Sequence, residues 1–162
     1  TQFLSSTFDL WYRDWKNGKY TSVRLFDDYV HLAMGEAPSS CSVLGRCGGY
    51  IVVEADGSIY PCDFYVTDKW RIGIFSDFAT VDEVYRSKVM EDFLFEGSKE
   101  REECRKCQWR GLCNGGCRRD SDYMGRLGPN YFCSSFKAFF NHSYSRIQEI
   151  ARLELEYRGR NV

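Results

Sequence analysis

Eight cysteines carry the chemistry legible in this 162-residue sequence, and four of them fall in one stretch, Cys104–Cys117, with the form C-x2-C-x5-C-x3-C. A thiolate is a strong ligand for iron or zinc, and C-x2-C lets one turn of backbone present two sulfurs to one centre. Gly115-Gly116 stands just before the last cysteine of the run. Glycine permits positive φ and close backbone approach, and a ligand loop needs both if its amide N–H groups are to turn toward sulfur. The remaining cysteines are Cys41, Cys47, Cys62 and Cys133, so eight thiolates make two four-thiolate sites with none left over. Zinc ribbons usually pair C-x2-C knuckles at regular spacing. Here there is one C-x2-C and the other gaps are irregular, which favours iron–sulfur clusters, whose ligands gather from scattered loops. Cys104 and Cys107 are expected to share a centre. The site built on Cys41, Cys47 and Cys62 then takes its fourth ligand from Cys113, Cys117 or Cys133, and spacing does not choose among them.

Two rival classes are set against the cluster reading. One is a structural zinc module that only binds a partner. The other is a disulfide-rich secreted domain, which an even cysteine count allows. A chain of 162 residues buries a core without covalent staples, so crowded cysteines point to metal and to a reducing, cytoplasmic compartment. The net charge of −1 argues against nucleic acid or an anionic membrane as partner. No apolar run is long enough to span a membrane and no signal peptide is visible. Aromatic residues make up 17% of the chain, enough for a bulky core and for a dry casing around redox centres. Arg46, Arg105, Lys106, Arg110, Arg118 and Arg119 lie near cysteines and can offset the negative charge of a cluster with its thiolates.

The elements that must position these residues read as follows. Residues 2–16 form an amphipathic helix with the stripe Leu4, Phe8, Trp11 and Trp15, ended by Asn17-Gly18. Tyr20–Leu25 is extended, and Phe26–Met34 is helical, closed by Gly35 and Pro38. Ser39–Cys47 is a loop. Tyr50–Glu54 and Ser58–Pro61 are strands joined at Ala55-Asp56-Gly57, a strong hairpin signal. Phe64–Ile74 is mixed and partly extended. Thr80–Tyr85 is a helix with a capping box from Thr80 and Glu83, and Ser87 caps a second helix reaching Phe95. Residues 96–103, EGSKEREE, read as a solvated connector, and Arg118–Asn130, with Gly125, Gly128 and Pro129, as a polar loop. Phe136, Phe140, Tyr144, Ile147, Ala151 and Leu155 mark a long helix over about residues 132–157, opened by Cys133. His31 and His142 read as packed or surface histidines, not ligands. The fold class is α+β: a small β-hairpin with cysteine-rich cluster-binding loops and flanking helices.

Taken together, Cys62, then Cys104-x2-Cys107-x5-Cys113-x3-Cys117, then Cys133 resemble a SPASM domain, the auxiliary-cluster domain of one class of radical S-adenosylmethionine enzymes. Cys41-x5-Cys47 and the string Tyr60-Pro61-Cys62-Asp63-Phe64-Tyr65 narrow the resemblance to the anaerobic sulfatase-maturing enzymes, over nearly the whole chain. The resemblance implies two 4Fe–4S clusters. It assigns Cys41, Cys47, Cys62 and Cys117 to one and Cys104, Cys107, Cys113 and Cys133 to the other. It assigns Asp63 as the base that takes a proton from the substrate side chain. The longer enzyme would oxidise an active-site Cys or Ser of a sulfatase polypeptide to Cα-formylglycine, passing an electron to an external acceptor. It would bind S-adenosylmethionine on a barrel with a C-x3-C-x2-C motif. That motif is absent here, since Arg118, Arg119 and Asp120 follow Cys117. By this reading the chain, which opens at Thr1 in mid-helix, is a piece of a longer protein and is inactive by itself. Residues 1–38 link to the barrel, 39–133 are the cluster domain, and 134–162 are a C-terminal helix and tail. Cut from a barrel, the first helix needs the long C-terminal helix, a second copy or solvent against its stripe, and self-association is expected. SPASM domains of other enzymes that modify different peptides remain an alternative.

Overall fold

The computed structural model describes residues 2–123 and 126–160; Gly125 of the polar loop lies outside them. The chain divides into two units by packing. One combines the residues up to Gly45 with those from Arg101 onward, and the other is Arg46–Glu100. This division cuts the chain differently from one by role, since the segments 1–38 and 134–162 fall in the same unit.

The first unit is built on three helices: α1 (Gln2–Lys16), α2 (Arg24–Ala33) and α8 (Cys133–Arg160). The stripe of α1 finds its partner within the chain. Phe8 and Trp11 are buried, and Leu4 and Trp15 pack against the same core. Of the three partners open to that stripe, the structure shows α8, while Phe3 and Leu10 elsewhere on α1 are exposed. Phe139 on α8 stacks with Phe26 at 5.9 Å between centroids and meets Phe8 edge-on at 5.6 Å. Tyr29 meets Phe140 edge-on at 4.9 Å. Such pairs contribute about 0.5–1.5 kcal/mol each beyond their area. The rim between α1 and α8 is polar: Asp9 pairs with Arg146 and with His142 at 2.7 Å, which accounts for His142 as a surface residue.

α2 begins at Arg24, two residues earlier than its apolar pattern suggests, so the extended piece stops at Val23. The expected loop 39–47 contains a short helix, α3 (Cys41–Leu44), closed by Gly45 at φ 75°. Buried Asp28 organises its entry. Oδ1 accepts the Ser39 N–H at 2.6 Å, and Oδ2 accepts the Ser40 N–H at 3.1 Å and the Ser40 hydroxyl. Burial alone would raise the Asp28 pKa, but the Ser40 and Ser39 hydrogen bonds outweigh it and hold the carboxyl below its ordinary value. Two short helices, α6 (Glu102–Arg105) and α7 (Arg110–Cys113), carry the cysteine run. The described residues of the polar loop 118–130 are structured: a 3-10 turn at Arg118–Ser121 leads into the antiparallel pair β4 (Asp122–Tyr123) and β5 (Arg126–Leu127). Its local pattern is too polar to announce strands, and Gly128 N–H reaching back to the Ser121 carbonyl at 2.8 Å closes it.

In the second unit, β1 (Val52–Val53), β2 (Ser58–Tyr60) and β3 (Gly73–Ile74) form an antiparallel sheet in that order. The hairpin turns at Gly57, φ 83°, with Val53 opposite Ile59. The third strand adds to what the sequence suggests, with 3-10 turns at Asp63–Tyr65 and Asp68–Trp70 before it. α4 (Val81–Tyr85) and α5 (Lys88–Gly97) follow. Thr80 and Ser87 accept the N–H groups of Glu83 and Met90, but Glu83 reaches back to Ala79 instead of Thr80, so only half of the expected box forms. The core here is Tyr65, Trp70 and Phe93, with Cys47 and Cys62 packed against it.

Candidate metal centre

Cys104, Cys107, Cys113 and Cys133 line one pocket. α6 presents the first, the turn after it the second, α7 ends on the third, and α8 begins with the fourth. The chain doubles back between α7 and α8 through three successive left-handed residues, Asn114 at φ 47°, Gly115 at 85° and Gly116 at 72°. Glycine serves at Gly115 and Gly116 because a Cβ at either would meet a side chain, Arg101 in the first case and Asn130 in the second. Among the described residues, no group of three or more His, Cys, Asp or Glu side chains gathers tightly enough for a single metal ion. A tetrahedral zinc would need four sulfurs about 2.3 Å from one point. The four thiols line one pocket, and each of the other three raises the pKa of Cys113 by its charge. Four thiols around one pocket are a donor set that fits an iron–sulfur cluster.

Burial pushes the Cys113 thiol up to about 11, against the pull of the Gly115 N–H on its sulfur. Burial likewise raises Cys104, and the guanidinium of Arg101 draws it back. A bound metal centre would take these sulfurs as thiolates and overcome that penalty.

Cys117 does not line this pocket. Its thiol is raised by burial, lowered by the Arg119 N–H, and influenced by Cys41. These two cysteines are brought together by Asn114, whose Nδ2 donates to the Val43 carbonyl at 2.9 Å, and by Gly45, packed against the Asn114 side chain. In the second unit, Cys62 is raised by burial and lowered by the Phe64 N–H and the Tyr50 hydroxyl. Cys113, Cys117 and Cys62 thus share one local device: the N–H two residues later bonds to the sulfur. Such donors stabilise thiolate and tune cluster potential.

Asp63, directly after Cys62, is exposed. Its Oδ1 accepts the Tyr50 hydroxyl at 2.5 Å and lies 3.4 Å from the Cys62 sulfur. The Tyr50 hydrogen bond chiefly holds the Asp63 carboxyl below its ordinary pKa, and the tyrosine itself is pushed well up, by burial and then by Asp63.

Residues 41–108 match SPASM, an iron-sulfur cluster-binding domain. This stretch is a SPASM domain. The match covers Cys41, Cys47, Cys62, Cys104 and Cys107. The chain is 44% identical over 153 residues to the cysteine-type anaerobic sulfatase-maturating enzyme of Clostridium perfringens (strain 13 / Type A), covering 93% of this chain and 41% of that one. It is 39% identical over 158 residues to the cysteine-type enzyme of Clostridium novyi (strain NT), covering 96% and 42%. It is 31% identical over 145 residues to the serine-type enzyme of Bacteroides thetaiotaomicron, covering 86% and 34%. The solved structure of native anSMEcpe with bound AdoMet and Kp18Cys peptide superposes with a TM-score of 0.88 at 43% identity, covering 93% of this chain and 42% of that chain. This chain therefore spans well under half the length of these relatives. Its fold, mostly helical with a small antiparallel sheet, is the α+β fold of that structure.

Three residues at these sites escape a reading of the sequence. Arg101 belongs to the charged run taken as a solvated connector, yet it lines the cysteine pocket. Its one local signal is its place three residues before Cys104. Asn130 is buried and donates to the Gly115 carbonyl at 3.0 Å. Tyr50 carries no signal at all, since its partner lies across a hairpin. Of the cations expected near the cysteines, Arg118 is buried, whereas Arg105, Lys106 and Arg110 are exposed. No helix among the described residues is long and apolar enough to cross a membrane.

Proposed function

We propose that this chain is the auxiliary iron–sulfur part of an enzyme that oxidises a sulfatase active-site residue to Cα-formylglycine. The observation that carries the reading is the gathering of Cys104, Cys107, Cys113 and Cys133 around one pocket, in a chain 44% identical to a cysteine-type anaerobic sulfatase-maturating enzyme. These four thiolates would hold one 4Fe–4S cluster, and Cys41, Cys47, Cys62 and Cys117 are assigned to a second by the family resemblance. Bound clusters supply one-electron chemistry, a path from substrate to an external acceptor. S-adenosylmethionine and the radical step belong to the remainder of the longer enzyme. The greater identity to cysteine-type than to serine-type relatives, 44% against 31%, favours cysteine as the residue oxidised.

This chain's own task is to hold the thiolates and to manage a proton. Oxidising a side-chain CH2–SH removes a hydrogen from Cβ, a proton from sulfur and a second electron, leaving a thioaldehyde that water hydrolyses to the formyl group with release of hydrogen sulfide. Asp63 is the proposed acceptor of that proton, and Tyr50 orients the carboxylate through its hydroxyl. Fixing Asp63 next to a ligand holds its backbone in place, and preorganisation is what a base requires.

Anaerobic reconstitution with iron and sulfide tests the cluster reading. A brown chain with about four iron and four acid-labile sulfide per site is expected. A colourless chain holding zinc in stoichiometric amount under the same conditions would replace it with the structural module. In the longer enzyme, conversion of a cysteine-containing sulfatase peptide to its formylglycine form tests the substrate. Modification of an unrelated peptide, with the sulfatase peptide untouched, would refute it.

A further inference from the structure

We propose that Arg101 sets the redox potential of the centre held by Cys104, Cys107, Cys113 and Cys133. The inference rests on reading that site as a cluster. Arg101 is half-buried and lines the pocket with the four thiols. Its Nη1 donates to the Gly115 carbonyl at 2.8 Å, and the same guanidinium hydrogen-bonds Cys104. Its Nε is buried and has no hydrogen-bond partner. A buried guanidinium N–H without an acceptor is costly, and the sulfurs of a centre held by the four lining cysteines would be acceptors beside it.

The surroundings hold Arg101 in place. Gly115, at φ 85°, has no Cβ where the guanidinium passes. The Gly115 carbonyl that receives Arg101 also receives Asn130 at 3.0 Å, so the acceptor is itself fixed. Glu103 and Arg110 border the pocket too, but both are exposed, where water and salt screen them. Arg101 is thus a half-buried cation held against the thiols.

A fixed positive charge and N–H donors to sulfur favour the state with more negative charge, which is the reduced one. In that step one electron enters from an external donor and no protein bond is made or broken. Removing the guanidinium should lower the reduced-to-oxidised ratio at a given potential about tenfold, 59 mV for a one-electron couple.

The test is a potentiometric titration of the reconstituted chain, with dithionite as reductant, followed by EPR and visible absorbance. Arg101→Gln is expected to keep the parent's iron and sulfide content, to move one midpoint negative by about that amount, and to leave the other in place. Arg101→Lys keeps charge without the planar fork and should fall between. Lys99→Gln, an exposed charge of the same run, should move neither. Unchanged midpoints in Arg101→Gln with full iron content would overturn the proposal. So would an equal shift in Lys99→Gln, or loss of iron from both Arg101 variants, which would make the residue a brace. A parent chain that takes up no iron and sulfide would overturn the cluster reading itself.

Discussion

Asp28 shows how far a site can depend on a residue that never touches it. The side chain is 1% exposed and spends both oxygens on the segment that leads into Cys41. Asp28→Asn keeps the shape but leaves one acceptor oxygen and turns an amide donor toward Ser39 or Ser40. With the carbonyl placed as Oδ1, the two Ser40 bonds at Oδ2 are lost. Each hydrogen bond to a charged group is worth about 1.5–3 kcal/mol in general, and the amide N–H opposing a donor adds a penalty of similar size. Because the two bonds share one oxygen and the chain can relax, about 2–4 kcal/mol is the expected loss. For a chain of this size that lowers the melting temperature by roughly 5–15 °C. The pH dependence has a definite sign. The folded pKa lies below the ordinary value, so the stabilisation is fully present above pH ~4 and is lost as pH falls through the folded value. The parent–variant difference should therefore be flat between about pH 5 and 8. Urea unfolding of both reconstituted chains by circular dichroism measures it. A difference under about 0.5 kcal/mol, or one that changes steadily across that pH range, would refute the reasoning.

Phe139→Ala removes a fully buried ring that touches Phe8, Phe26, Tyr29 and Phe140, and should cost about 3–5 kcal/mol in the same urea assay. Gly116→Ala combines a positive φ with a Cβ 2.6 Å from Asn130 Nδ2; iron uptake should fall or slow, with about 1–3 kcal/mol of stability lost, as judged by iron assay and urea unfolding. In the longer enzyme, Asp63→Asn should retain both clusters by EPR and lose most formylglycine formation by mass spectrometry. Tyr50→Phe should retain the clusters and slow the same conversion less, because it removes an orienting bond and leaves the carboxylate.

What the sequence by itself determines here is local. The stripe on α1, the broad apolar face of α8, the Asp56-Gly57 turn and the caps at Thr80 and Ser87 all act within a few residues. Their periodicity and turn chemistry are set by backbone geometry, and thiolate chemistry is a property of cysteine wherever it stands. The tertiary structure alone decides which thiols share a space. Cys133 joins Cys104, Cys107 and Cys113 because α8 packs back on α1 and α2, while Cys117, nearer in sequence, turns toward Cys41. Asn114 bonds Val43 across 71 positions, and Arg101 and Asn130 meet on the Gly115 carbonyl from opposite sides in sequence. β3 is likewise a strand only because β2 offers it an edge, Ser58 and Ile59 pairing with Ile74 and Gly73. Each of these contacts joins residues whose own neighbours give no hint of it, since side-chain reach and burial depend on where the chain returns, and that is settled by packing of the whole.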